Sequence, residues 1–238
     1  MNRQSNIYTI IYSTVLVIVV GVVLSVVYQA LRPRQIENIE NDTKRQILAA
    51  ARIVPQKGET VANLFNQHIT SSYIVNEKGE KIDANTDAFK VNVALETKKP
   101  AAERLLPVFE CNTDNGMKYI IPVYGAGLWG PIWGYVAFDN NGDTIYGAYF
   151  AHQGETPGLG AEIEKPAFSN QFEGKNIFNA EGAFTSVAVS KVGKEPQGQA
   201  WVHAVSGGTI TSQGVQAMLF NSLEPYSSFF KSLKDSAL

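Results

Sequence analysis

The fold is decided by the stretch GYVAFDNNGDTIYGAYF, residues 134–150. Its two ends, residues 134–138 and 144–150, are short runs of apolar and aromatic side chains. Between them lies Asn140-Asn141-Gly142-Asp143, and an asparagine followed by a glycine is typical of a tight hairpin turn. The stretch therefore predicts two antiparallel strands joined by a short turn.

Similar runs surround this hairpin. Residues 117–124 and 184–189 have the apolar and aromatic composition of strands, and residues 200–205 are strand-like. Residues 212–232 carry apolar side chains at helical spacing: Val215, Met218, Leu219 and Leu223. We therefore predict an α+β fold, an antiparallel sheet with flanking helices, for the part of the chain that follows the first helix.

The first hundred residues have a different sequence pattern. Pro33 is expected to end a first helix, and apolar spacing predicts further helices over residues 42–53 and 59–69. Residues 83–107 are charged and irregular, which indicates an insertion. The predicted organisation is an anchor over 1–31, a helical lead-in with an insertion over 32–106, and a cofactor-binding domain over 107–238.

An uncharged segment lies near the amino terminus. No residue from Gln4 to Leu31 is charged, and roughly 20 apolar residues in a helix span the hydrocarbon layer of a bilayer. The alternative is a cleaved signal peptide, whose apolar region is shorter, about 7–15 residues. We favour a retained transmembrane anchor. The basic residues Arg32 and Arg34 after it, against Arg3 before it, would by count alone place the following domain inside the cell.

Composition excludes several classes of protein. The 238 residues include 20 basic and 22 acidic side chains, so no basic excess points to nucleic acid. A single cysteine, Cys111, forms neither an internal disulfide nor an iron–sulfur site by itself. The three histidines share no close spacing, so we expect no metal site. Any redox chemistry would need an organic cofactor.

The first candidate site is the turn Ser206-Gly207-Gly208-Thr209, between a strand-like run and a helix. Glycines let the backbone approach a ligand closely. The free N–H groups at a helix start favour an anion such as phosphate, and hydroxyls at 206, 209, 211 and 212 can add hydrogen bonds. The alternative is an ordinary turn in which Thr211 or Ser212 caps the helix.

Two further loops suit a flat ring. In Glu155-Thr156-Pro157-Gly158-Leu159-Gly160, a glycine frame holds an apolar side chain, Leu159. In the glycine-rich stretch around Gly127-Leu128-Trp129, either Trp129 or Trp133 is placed to stack on a ligand. The alternatives are a simple Pro-Gly turn and a core aromatic residue. Together with the phosphate turn, the two loops suit flavin mononucleotide (FMN).

These three motifs, in this order, resemble the FMN-binding domain in the C subunit of the sodium-translocating NADH:quinone oxidoreductase. The resemblance extends to the anchor and the helix of Ile47 and Leu48. It implies FMN joined by a phosphoester to Thr209, attached by a separate flavin transferase. It also implies a set of residues that bind the cofactor: Ser206, Gly207, Gly208 and Thr211 at the phosphate, and Glu155, Thr156, Leu159, Gly160 and Trp129 near the ring.

The same resemblance implies a biological setting. The chain would be an electron-relay subunit, not catalytic alone, among other subunits in the bacterial inner membrane, with its FMN domain on the periplasmic side. Two residues depart from the family pattern. Gly208 stands where alanine is usual, and His203 stands where an aspartate often precedes the motif.

Three alternatives remain at the level of sequence. One is the flavoprotein subunit of the related ferredoxin:NAD oxidoreductase complex, and another is a non-catalytic, membrane-anchored flavin-binding module. The third is a hydrolase with Ser206 or Thr209 as nucleophile and His203 as base. The hydrolase is disfavoured because no Gly-x-Ser-x-Gly motif surrounds Ser206.

Overall fold

The computed structural model describes residues 6–83 and 86–236. The chain divides into two units, Met1–Thr43 and Lys44–Leu238. The α-helices of the described residues are α1 (Asn6–Ala50), α2 (Val61–His68), α3 (Val93–Glu96), α4 (Pro166–Ser169), α5 (Thr209–Leu223) and α6 (Ser227–Ser236). Short 3₁₀ helices cover Ala88–Lys90, Ala101–Glu103, Gly160–Glu164, Asn170–Phe172 and Glu224–Tyr226.

The strands form one large sheet and one small sheet. They are β1 (Ile69–Val75), β2 (Lys81–Ile82), β3 (Leu106–Thr113), β4 (Gly116–Ala126), β5 (Pro131–Asp139), β6 (Ile145–His152), β7 (Ala188–Ser190) and β8 (Trp201–His203). The large sheet has the order β2-β1-β3-β4-β5-β6, and all its neighbours are antiparallel. The predicted α+β class, with a long apolar helix before an antiparallel sheet and its flanking helices, is confirmed.

The predicted hairpin joins β5 and β6, with Phe138 opposite Ile145. The side chain of Asn141 accepts hydrogen bonds from the backbone N–H groups of Asp143 and Thr144, both at 3.0 Å. Gly142 has φ +63°, a left-handed conformation that glycine adopts without strain. The turn therefore forms for the reasons that its sequence suggests.

The first helix is longer than predicted. α1 runs unbroken from Asn6 to Ala50 with Pro33 inside it, so the prediction that Pro33 ends a helix and another begins near residue 42 is wrong. A proline removes one helical hydrogen bond and crowds one carbonyl group, a local disturbance that a long helix can absorb because all its other turns keep their bonds. α1 is long and apolar enough to cross a membrane. Its role as a retained anchor, like the predicted domain boundaries, stays a prediction.

The large sheet buries both of its faces. Because successive side chains of a strand point to opposite faces, Ile120 and Ile121 belong to different clusters. Ile120 packs with Ile47 and Ala50 from the end of α1, and Ile121 packs in the larger cluster that contains Met218 of α5. The sheet therefore lies between the last turns of α1 and the carboxyl-terminal helices.

Helix α5 lies close against β4. The hydroxyl of Ser222 donates to the carbonyl of Tyr124 and accepts from its N–H group, both at 3.2 Å. Near the other end of α5, a side chain at Gly214 would collide with the carbonyl oxygen of Ala126, the last residue of β4. These contacts fix where α5 begins relative to the end of β4.

Two predicted elements have different bounds in the structure. The strand predicted over 184–189 is only β7, because Ser186 has φ +58° and interrupts extended backbone. β7 pairs with β8 in parallel, outside the large sheet. The helix predicted over 212–232 begins three residues earlier, at Thr209, and divides into α5 and α6 around Pro225.

The charged segment predicted as an insertion, residues 83–107, packs against the domain where it is described. The carboxylate of Glu96 accepts from Lys99 at 2.8 Å and from the backbone of Leu105 at 2.9 Å. Burial opposes ionisation of Glu96, but these hydrogen bonds and the Lys99 charge hold its pKa below the ordinary value. Arg104 donates to the carbonyl of Asn221 at 3.1 Å, which ties the segment to α5.

The single cysteine generates a prediction about reactivity. Cys111 is fully buried on β3, and burial raises the pKa of its thiol to about 11. At pH 8 only about one thiol in a thousand would then be a thiolate, the form that reacts. We expect iodoacetamide to label the detergent-solubilised chain at least about 100-fold more slowly in buffer than in denaturing urea, measured by mass spectrometry. Equal labelling rates in buffer and in urea would show that the Cys111 thiol is accessible to the reagent in the folded protein.

Candidate functional site

The three loops that the sequence singled out meet at one cleft of about 360 Å³. The lining residues come from all three: Leu128 and Trp129 from the first, Glu155, Thr156, Leu159 and Gly160 from the second, and Gly207, Gly208, Thr209, Ile210 and Thr211 from the third. The volume lies within the usual range for small-molecule sites, about 300–1,000 Å³. The site thus joins segments that are up to about 80 residues apart in the chain.

The register of the sheet explains why the first two loops are neighbours. β4 ends at Ala126 directly opposite Pro131, where β5 begins. β6 ends at His152, which pairs with Ile132 of β5. The loop after β4 and the loop after β6 therefore leave the sheet at the same end of its strands.

A buried carboxylate connects all three loops. Glu155 is only 4% exposed. One oxygen, Oε1, accepts from the backbone N–H of Trp129 at 2.8 Å, and the other, Oε2, accepts from the hydroxyl of Thr211 at 2.5 Å. A buried carboxylate is unfavourable unless its oxygens accept hydrogen bonds, and bonds to a charged acceptor are among the stronger ones in proteins. Glu155 therefore fixes the second loop against the other two.

Two glycines make this arrangement possible. A side chain at Gly160 would collide with Glu155 Oε2 and with the hydroxyl of Thr211, so the carboxylate occupies the space beside Gly160. Gly207 has φ +73°, and a side chain there would collide with Leu159. Gly160 and Gly207 are thus required by contacts within the protein, independently of any ligand.

The start of α5 is open to an anion. Its N-cap is Gly208, and no side chain caps it. Thr211 and Ser212, the residues considered as caps, are both engaged elsewhere: Thr211 donates to Glu155, and Ser212 accepts from the backbone of Val205 at 3.0 Å. That alternative is wrong. Uncapped N–H groups at the start of a 15-residue helix favour a negatively charged group.

The hydroxyls of the turn differ in availability. Thr209 lines the cleft, and no described side chain hydrogen-bonds to its hydroxyl, whereas the hydroxyls of Thr211 and Ser212 are occupied. Ser206 does not line this cleft. It borders a separate cleft, of about 510 Å³, together with Lys165 and His203. Thr209 lines this cleft and also borders a second one, beside Ser190 and Gln213, and within the described residues no hydrogen bond engages its hydroxyl.

The walls of the cleft are apolar and partly exposed. Trp129 is 68% exposed, and Leu128, Leu159 and Ile210 are also exposed. Such side chains suit the face of a flat ring. Leu128 and Ile210 were not selected from the sequence as site residues, although both lie inside the motifs. Trp133, the alternative stacking residue, lies on β5 and donates its ring N–H to Gln46 at 3.1 Å, outside the cleft.

The hydrolase alternative finds no support in the geometry. His203 lies on β8, where its ring packs edge-on against Trp201 at 5.0 Å. Within the described residues, no hydrogen bond joins its imidazole to Ser206 or Thr209, and no carboxylate orients it by a hydrogen bond. A nucleophile would therefore lack its base.

Comparison with known proteins agrees with this geometry. Residues 127–224 match the model of the FMN-binding domain family. The chain is 32% identical to the C subunit of the Na(+)-translocating NADH-quinone reductase of Pseudomonas aeruginosa, over 92% of this chain and 91% of the relative. It is also 32% identical to the protein of the same name from Vibrio vulnificus, over 84% of this chain and 83% of the relative.

A solved structure shows the same fold. The crystal structure of the C subunit of the Na(+)-translocating NADH-quinone reductase from Parabacteroides distasonis superposes with a TM-score of 0.77 at 50% sequence identity. The match covers 84% of this chain and 96% of that one. With an FMN-binding domain that contains all three loops, the chain belongs to the family of the C subunit of the Na(+)-translocating NADH-quinone reductase.

Proposed function

We propose that the chain carries FMN in the three-loop cleft, joined by a phosphoester to Thr209, and relays electrons within a membrane Na(+)-translocating NADH:quinone reductase. One observation carries the proposal: Thr209 lines an apolar cleft at the uncapped start of α5, and within the described residues no hydrogen bond engages its hydroxyl. FMN exchanges one or two electrons when bound, and the protein supplies attachment, orientation and electrostatics.

The residues of the cleft divide into two groups. Leu128, Trp129, Leu159 and Ile210 supply apolar contacts for a ring. Gly207, Gly208 and the first N–H groups of α5 surround the proposed phosphate. Thr211, expected from the family resemblance to bind phosphate, lines the cleft, and because its hydroxyl donates to Glu155 we propose that it also fixes the shape of the cleft.

We propose that a separate flavin transferase makes the bond. The described surroundings of Thr209 contain no base hydrogen-bonded to its hydroxyl, so self-modification has no support. The departures at Gly208 and His203 bear on recognition by that enzyme. His203 lies outside the flavin cleft and borders the cleft of Ser206, so we expect it to affect attachment more than ring binding.

The proposed setting is the bacterial inner membrane. α1 would be the single anchor, in contact with other subunits, with the FMN domain on the periplasmic side. Its apolar part holds no charged residue between Gln4 and Leu31. Since ion pathways in membranes are usually marked by polar or ionisable side chains, we propose that this chain alone provides no sodium path and no complete catalytic activity.

Replacing Thr209 by valine tests the attachment site. Valine keeps the shape of threonine but lacks the hydroxyl, so we expect the flavin fluorescence of the denatured protein band to disappear completely. The full chain is produced in cells that contain the transferase, denatured and run on a gel. The control is Ser228→Ala, which removes an exposed hydroxyl on α6 that borders neither this cleft nor that of Ser206, and it should leave the band fluorescent.

A parent band without fluorescence would refute covalent FMN, and a fluorescent Thr209→Val band would place the bond elsewhere. An unfolding curve in urea, followed by tryptophan fluorescence, shows whether each variant is folded. All three tryptophans lie between residues 129 and 201, so the signal comes from the unit Lys44–Leu238.

Replacing Gly160 by alanine tests the Glu155 bridge. The added methyl group displaces Glu155 from Thr211, so we expect a loss of about 1–3 kcal/mol in the free energy of unfolding. The matched control is Gly154→Ala in the same loop. Its new methyl group has nothing closer than a carbonyl oxygen at 4.0 Å, and we expect a change within about 0.5 kcal/mol. Equal effects of the two substitutions in urea unfolding would contradict this account.

A further inference from the structure

We propose that His152 is a positioning residue of the flavin cleft, which holds the loop of Glu155 in place only while its imidazole is neutral. The hydrogen bonds involved lie within the described protein. Their effect on a bound flavin rests on the function proposed above.

His152 is the last residue of β6, immediately before the second loop. Its Nδ1 accepts a hydrogen bond from the backbone N–H of Glu155 at 3.1 Å. A ring nitrogen that accepts a hydrogen bond carries no proton, so the neutral imidazole here has its proton on Nε2. The bond closes a tight turn between the strand and Glu155.

Glu164 holds the other side of this histidine. Its Oε2 lies 3.8 Å from Nε2 of His152, and its Oε1 accepts the backbone N–H of the same residue at 3.3 Å. The His152 side chain is only 15% exposed, so its ring has little freedom to turn away. The imidazole is therefore set between the Glu164 carboxylate and the Glu155 backbone.

Hydrogen bonds hold Glu155 at its backbone N–H and at its carboxylate. Its backbone N–H is held by His152, and its carboxylate is held by Trp129 and Thr211. A displacement at the backbone is transmitted to the carboxylate because they belong to one residue that is almost fully buried. His152 thereby acts on all three loops of the cleft without lining it.

Protonation reverses the role of Nδ1. In the charged ring both nitrogens carry protons, so Nδ1–H would face the N–H of Glu155 and the hydrogen bond would be lost. Two carboxylates bear on this ring. That of Glu164 faces Nε2, and that of Glu155 is directed to Trp129 and Thr211. Acidification should therefore loosen the second loop while the ring stays beside Glu164.

Amide hydrogen exchange of the full chain in detergent tests this without using the flavin. Protection of the peptides that cover 127–131 and 153–160 is compared across about pH 5–8, where imidazoles titrate, after correction for the intrinsic exchange rate. In the parent, and in the unloaded Thr209→Val chain, we expect protection to fall about tenfold on acidification, as for one lost hydrogen bond.

Three variants separate positioning from simple packing. Asparagine offers an oxygen near the place of Nδ1 and does not titrate. His152→Asn should therefore keep the high protection at every pH and lose the fall on acidification, which we call the pH step. His152→Ala should have low protection at every pH. Glu164→Gln should keep the step, because glutamine retains an oxygen that can accept the backbone N–H of His152.

The matched control is His203→Asn, which alters a histidine outside the cleft and should leave the parent's step unchanged. In the loaded parent the step should also appear in flavin fluorescence, and it should be absent from loaded His152→Asn.

A step that survives in His152→Asn, or asparagine and alanine variants that behave alike, would overturn the proposal. The gel assay separates it from the proposed function. A parent band without fluorescence, together with a pH-dependent loss of protection, refutes covalent flavin and supports the role of His152. A fluorescent parent band without that loss of protection supports covalent flavin and refutes the role of His152.

Discussion

The site depends on one buried carboxylate. Glu155 is nearly inaccessible to solvent, and its two oxygens accept hydrogen bonds from a backbone N–H of the first loop and a hydroxyl of the third. Because a buried carboxylate without such partners is strongly unfavourable, the three loops are stable mainly as a set. The cleft is a consequence of this requirement, since the loops that satisfy the carboxylate also form the walls around Thr209.

The scaffold places the ends of these loops next to one another. Two loops leave the sheet at the same end of its strands, because the end of β4, the start of β5 and the end of β6 are in register there. α5 brings the third loop to the same place, with Gly214 close to Ala126 at the end of β4 and Ser222 bonded to Tyr124, two residues before that end. Function-bearing loops on a rigid frame are the common arrangement in binding domains. Here the frame and the loops are connected directly by α5, which packs on the sheet and also begins at the cleft.

Local chemistry in the sequence was enough to predict the hairpin and to single out the three loops that meet at the cleft. Asn141 forms its turn with hydrogen bonds to immediate neighbours, and Gly142 supplies the left-handed backbone conformation. The glycines of the three loops can likewise be recognised within the motifs themselves. Interactions over long separations were not predictable in this way. Glu155 binds partners 26 and 56 residues away, so its sequence context suggested a ring contact and gave no sign of a bridge. The same limit applies to Pro33, because the helix on either side of it, and not the proline alone, decides whether the helix ends.

The contacts around Gly160 also bear on how the domain can diverge. Gly160 and Glu155 serve the internal packing of the protein, whereas the hydroxyl of Thr209 serves no described contact within it. A descendant could therefore lose the acceptor hydroxyl by a single substitution and keep the whole architecture, including the two glycine-bearing loops. If FMN is attached at Thr209 as we propose, such a protein would match the family in fold and motif but carry no covalent flavin. The fold and the proposed attachment would then be separable properties that differ by one side chain.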